Sequence, residues 1–190
     1  MRFVALLAAL QFSLVYGVPH LNISDLIRGG TLHSGKPEMV VFTRSDINQP
    51  TYGFICGGTV LNTKYVLTAA HCVTGSMDGE NTAKVTVHAG VKALDKLNTD
   101  GTQSSAIKSF VIHENYNPSA TVNDIAIIEL ATEFKLTSTV KAVKIFILDL
   151  LTEIVPNQDV YIYGFGDSKS MEDTNTNLYM IKTNVVNREV

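Results

Sequence analysis

Leu67-Thr68-Ala69-Ala70-His71-Cys72 sets a histidine directly after an apolar strand and beside a cysteine. The strand reading rests on residues 65–68, and five more segments share its character: 38–43, 54–61, 84–89, 106–112 and 125–130. Each is short, rich in Val, Ile, Thr or Phe, and bounded by residues that break regular structure. Asp78-Gly79 and Asp100-Gly101 are turn dipeptides between them, and no amphipathic helix stands out. Six strands with short connections predict an antiparallel barrel or sandwich. Residues 131–158 read as a connector, followed by two further strands, 160–163 and 178–186. Two strands neither close a barrel nor bury both faces of a sheet, so this second unit reads as unfinished.

Composition narrows the function classes. The chain has 190 residues, 45% hydrophobic and 17% charged, enough apolar material for a sizeable core. A net charge of -3, with no Lys/Arg cluster, excludes a nucleic-acid surface. Neither disorder, collagen nor coiled coil fits, because low hydrophobicity, a glycine period and heptads are all missing.

Met1-Arg2, the apolar run from Phe3 to Tyr16 and the small residues ending at Gly17 form the three parts of a secretory signal peptide. The run is shorter than the roughly 20 residues that span a bilayer, so no membrane span is expected. Cleavage after Gly17 starts the secreted product at Val18. Asn22-Ile23-Ser24 is a glycosylation sequon in this exposed N-terminal segment.

In a secreted chain the two cysteines, Cys56 and Cys72, are expected to pair. Closing that loop is worth roughly 3 kcal/mol in the chain-entropy picture. The bridge would tie the histidine-bearing turn to the neighbouring strand and so fix the imidazole. Metal binding is the rival reading of a Cys-His neighbourhood, but it lacks further ligands at recognisable spacing. Asn123-Asp124-Ile125-Ala126 puts a carboxylate at the mouth of an apolar strand. Alone, such an aspartate is a turn former. Held near an imidazole, it would orient the ring and stabilise its protonated form.

Thr68-Ala69-Ala70-His71-Cys72 together with Asp124-Ile125-Ala126 resembles the trypsin/chymotrypsin family of serine proteases. The likeness continues in chain order over residues 27–190. Ile27-Arg28-Gly29-Gly30 is similar to the family's activated N-terminus, and Pro37-Glu38-Met39-Val40 to its first barrel strand. Cys56-Gly57-Gly58-Thr59-Val60-Leu61 resembles the strand holding the histidine-loop disulfide. His113-Glu114-Asn115-Tyr116-Asn117-Pro118 resembles the loop before the triad aspartate. Tyr163-Gly164-Phe165-Gly166 resembles the Trp-Gly-x-Gly turn opening the second barrel, with Tyr for Trp.

The resemblance implies an all-β, trypsin-like antiparallel double β-barrel, its first barrel complete and its second partial. With the signal peptide over 1–17, it leaves a short propeptide over 18–26 and implies a protease domain over 27–190. That domain divides into a first barrel (27–130), a connector (131–158) and the start of a second barrel (159–190). His71 becomes the general base and Asp124 its orienting partner, with no cofactor and no metal. Partners would be protein or peptide substrates and protease inhibitors, in an extracellular setting. His20, His33, His88 and His113 match no catalytic motif and read as structural or solvated.

Two departures qualify that picture. The family's nucleophile lies in Gly-Asp-Ser-Gly-Gly-Pro, which does not occur within residues 1–190. Gly166-Asp167-Ser168 imitates it, but Lys169-Ser170 follows, and the tripeptide belongs to the earlier turn, so Ser168 is rejected as nucleophile. Leu26, rather than Arg or Lys, precedes Ile27, and arginine takes the second place of the expected terminus. Cutting after Leu26 would free Ile27; cutting after Arg28 would free Gly29. The expectation is a secreted serine endopeptidase of which this stretch lacks nucleophile and specificity pocket, and which is inactive as it stands. The alternatives are a secreted non-catalytic homologue acting as a binding or decoy module, and an unrelated disulfide-bearing β domain.

Overall fold

The computed structural model describes residues 30–46, 53–145, 157–165 and 176–184. Strand β1 is Thr31–Leu32 and β2 is Met39–Arg44. Strands β3 (Phe54–Val60), β4 (Tyr65–Thr68), β5 (Val85–Ala89), β6 (Gln103–Ile112) and β7 (Ala126–Leu130) follow. Strands β2 to β7 close a barrel in the antiparallel order β2-β3-β4-β7-β6-β5. These are the six strands expected from the sequence, with β6 beginning three residues earlier, at Gln103.

Alternation explains which side chains fill the barrel. Val40 and Phe42 of β2, Val85, Val87 and Ala89 of β5, and Ala126, Ile128 and Leu130 of β7 all point inward. A period of two gives each strand one buried face. Strand β6 breaks the rule: its register shifts between Ile107 and Ser109. Ile107 packs into the core before the bulge, whereas Phe110 and Ile112 do so after it. One extra residue at Lys108 thus exchanges the inner and outer faces.

Gly58 of β3 has no room for a side chain. A Cβ there would lie 2.8 Å from the Leu67 carbonyl oxygen, 2.9 Å from the Phe42 ring and 3.0 Å from Val40. The backbone atom cannot yield, so overpacking sets the cost. Gly58→Ala is expected to lower unfolding stability by roughly 1–3 kcal/mol, read from the urea midpoint. Gly57→Ala, whose Cβ meets nothing nearer than 3.8 Å, is the near-neutral control.

A second sheet holds β1, β8 (Asp159–Gly164) and β9 (Tyr179–Asn184) in the antiparallel order β1-β9-β8. The sequence supplied the last two; β1, within the stretch expected to open the first barrel, pairs instead with β9. Strand β2 is buried on both faces. Val41, on the side away from the barrel core, packs with Val91, Leu94, Phe165 and Leu178 between the two sheets. The first part of the expected connector is not merely a polar link. Phe134 and Val140 plug the barrel core, and the Val143 N–H donates to the Val60 carbonyl.

Candidate active site

The candidate site begins where β4 runs out. Thr68 is buried and donates its hydroxyl to the Gly57 carbonyl at 2.9 Å, fastening the strand end to β3. Ala69 stays extended, and Ala70 opens a short helix, α1 (Ala70–Cys72). Both alanines are fully buried, so any larger side chain would lift this turn off the barrel. The helical path continues through Val73–Met77 and then a tighter turn over Gly79–Lys84. Cys72 is buried and bonded to Cys56 of β3, with Cα atoms 6.1 Å apart. The bridge and the Thr68 hydrogen bond together hold the base of the histidine turn.

Asp124 comes from the neighbouring strand, at the entry to β7, whose Ala126 pairs with Thr68 of β4. The loop before it is shaped by its own polar side chains. Asn117 Oδ1 accepts the N–H groups of Ser119 and Ala120, and Asn123 Nδ2 donates to the Asn115 carbonyl at 2.9 Å. Asn123 takes a left-handed conformation, φ 57°, which asparagine tolerates better than most residues. The His113 N–H donates to the Ile125 carbonyl and closes the loop onto β6.

The two elements meet through one carboxylate. Asp124 Oδ1 accepts the backbone N–H of His71 at 2.8 Å, and Asp124 Oδ2 lies 2.6 Å from His71 Nδ1. The carboxylate is wholly buried, while the imidazole side chain is 38% exposed. A buried carboxylate must be satisfied, and here each oxygen has a partner. An ionised carboxylate only accepts, so Nδ1 carries the hydrogen. In the neutral ring Nε2 then holds the free lone pair, which is the arrangement of a general base.

The other predicted positions fall as follows. Cys56 Sγ, Cys72 Sγ and a His71 ring nitrogen lie within 4.8 Å of one another. Both sulfurs are spent in the bridge, leaving no thiolate, the form in which cysteine binds metal. His113 is exposed, its Nδ1 accepting the Asn115 N–H. His88 is buried against the Thr43 hydroxyl at 3.0 Å, and burial pushes its pKa down. His33 meets the Tyr163 ring edge-on, its pKa lowered by burial and then by Lys36. His20, Asn22, Ile27 and Ser168 lie outside the described residues. Among those described, no helix is long and apolar enough to cross a membrane.

Sequence reading missed one charged cluster on the outer face of the barrel. Glu129 accepts from Lys108 Nζ at 2.9 Å and from the Ser109 hydroxyl at 2.7 Å, and pairs with Lys64 Nζ at 2.9 Å. The Lys108 bond above all, then those of Lys64 and Ser109, lower its pKa from 4.5 to about 2. Such a carboxylate adds stability above its unfolded pKa and loses it as pH falls through the folded one. Glu129→Gln is therefore expected to be less stable than the parent at pH 7. Urea midpoints should show that gap closing between pH 4.5 and about 2.

The sequence is similar to those of known proteins. A family model described as Trypsin matches residues 29–190. Trypsin alpha-4 of Lucilia cuprina is 34% identical over 148 residues, covering 75% of this chain and 52% of that protein. Trypsin of Sarcophaga bullata is 27% identical over 146 residues, 76% of this chain and 52% of its own length. Trypsin, alkaline C, of Manduca sexta is 29% identical over 188 residues, 99% of this chain and 69% of its own length. The chain thus spans about half the length of the first two relatives and about two thirds of the third.

Proposed function

The chain belongs to the trypsin family of serine proteases, and from that footing we propose that it is the base-bearing part of a secreted serine endopeptidase. Peptide bonds are cut by acyl transfer. His71 Nε2 accepts the proton of a serine hydroxyl as that oxygen attacks the carbonyl, and later returns it to the leaving amine. Asp124 holds the ring in the Nδ1–H tautomer and stabilises the imidazolium formed on the way. The observation that carries this reading is the buried carboxylate bound at 2.6 Å to Nδ1 and at 2.8 Å to the His71 N–H. Two contacts from one carboxylate fix both the position and the tautomer of the base.

The rest of the proposal follows the sequence. Residues 1–17 direct export, 18–26 form a short propeptide, and the protease domain begins at Ile27, with Asn22 available for glycosylation. Within that domain, 27–130 form the first barrel, 131–158 the connector and 159–190 the start of the second barrel. Substrates are proteins or peptides, and protease inhibitors are the matching partners. Residues 1–190 by themselves hydrolyse nothing, because the Gly-Asp-Ser-Gly-Gly-Pro segment is not among them. Without its serine and oxyanion amides the base has no hydroxyl to activate.

The test uses residues 1–190, cleaved specifically after Leu26 and offered a serine-directed fluorophosphonate and substrates ending in Arg, Phe or Ala. Neither labelling nor turnover is expected. Stoichiometric labelling of Ser168 or any other serine, with turnover abolished by His71→Ala, would contradict the proposal.

A further inference from the structure

The disulfide beside the base is chemically lopsided. His71 Nε2 lies 3.5 Å from Cys72 Sγ, while Nδ1 of the same ring is held by Asp124. Cys72 is 1% exposed, and Cys56, its partner on β3, is only partly buried. When the ring is protonated, Nδ1–H faces Asp124 and Nε2–H faces Cys72 Sγ. A thiolate forming at Cys72 is thus met by a cation whose own countercharge is already in place.

We propose that Cys56–Cys72 is a site of directed thiol exchange, in which a small monothiol attacks Cys56 and forms a mixed disulfide there. The attacking thiolate supplies the electron pair of the new sulfur–sulfur bond to Cys56 Sγ. The pair of the old bond leaves with Cys72 Sγ, which takes the Nε2 proton of the imidazolium and becomes a thiol. The monothiol is the reductant, and no other co-reactant is needed. Exchange is faster when the departing thiolate is stabilised, and a neighbouring imidazolium does this. Opening the bridge removes the covalent tie of the histidine turn to β3 and leaves the Thr68–Gly57 hydrogen bond to hold it, so the same modification loosens the base. The inference rests on the placement of His71, Asp124 and the two sulfurs, and stands whether or not the site cleaves peptides.

The experiment is exposure of folded residues 1–190 to a monothiol such as 2-mercaptoethanol without denaturant. Acid quench, alkylation and peptide mapping then locate the adduct. In the parent chain the adduct is expected on Cys56 in roughly ten-fold excess over Cys72, in proportion to the difference in leaving-group stability. His71→Ala and Asp124→Asn should each slow opening, the former by on the order of ten-fold. An adduct mainly on Cys72, or shared equally, would overturn the proposal, and this readout needs no variant. So would an opening rate unchanged in His71→Ala, or one independent of thiol concentration, which would mean that global unfolding exposes the bridge.

Discussion

Asp124→Asn, in a polypeptide that joins residues 1–190 to the nucleophile-bearing segment of a relative, is expected to lower turnover by on the order of 10⁴ with little change in KM. The direction follows from the hydrogen-bond inventory of the substituted side chain, and the size is that of the same change in the Ser-His-Asp template. An asparagine oxygen still accepts the His71 N–H now bound at 2.8 Å, but its amide must then face Nδ1 with N–H groups. Nδ1 becomes the acceptor, Nε2 carries the hydrogen, and the ring no longer takes a proton from serine. Steady-state kinetics read the loss directly. A drop of less than ten-fold would mean that Asp124 is only the turn former its position also suits.

Cys56→Ala/Cys72→Ala should lower stability by roughly 3 kcal/mol, the entropy of closing a loop of this length in the unfolded chain. For a domain of this size that corresponds to a fall in melting temperature on the order of 10 °C. The measurement is a pair of thermal or urea transitions on parent and variant under non-reducing conditions. An unchanged midpoint would show that the unfolded chain gains nothing from the missing link. The consequence reaches the site, because the bridge spans from β3 to the residue after His71. Losing it leaves the imidazole held by Asp124 and by the Thr68–Gly57 hydrogen bond at the base of its turn, without the covalent tie.

The barrel strands were legible because a period of two and β-branched residues survive in short segments. Val40 and Phe42, or Ala126, Ile128 and Leu130, announce an inward face without any tertiary knowledge. The bulge at Lys108 was not legible, since Ile107, Phe110 and Ile112 fit no single alternation. Strand β1 was missed for another reason. Thr31–Leu32 is two residues long and exposed, and only its pairing with Tyr179 and Met180 makes it a strand. His71 and Asp124 could be named in advance because motif order carried them, and Cys56 and Cys72 because two cysteines in a secreted chain are expected to pair; the structure brings all four within one neighbourhood. What motif order could not carry was the support: the Asn117 and Asn123 hydrogen bonds, the Thr68 hydroxyl on Gly57, and the Glu129 cluster. Each depends on distant segments meeting, which no local pattern records.

In the proposed mechanism His71, oriented by Asp124, activates a serine nucleophile. Fluorophosphonate labelling of the same joined polypeptide tests this step, since the probe reads the nucleophile without any demand on substrate preference. Stoichiometric labelling of the Gly-Asp-Ser-Gly-Gly-Pro serine is expected, slowed at least a hundred-fold by His71→Ala, the scale of positioned general-base assistance. Labelling at the same rate with and without the His71 imidazole would contradict it.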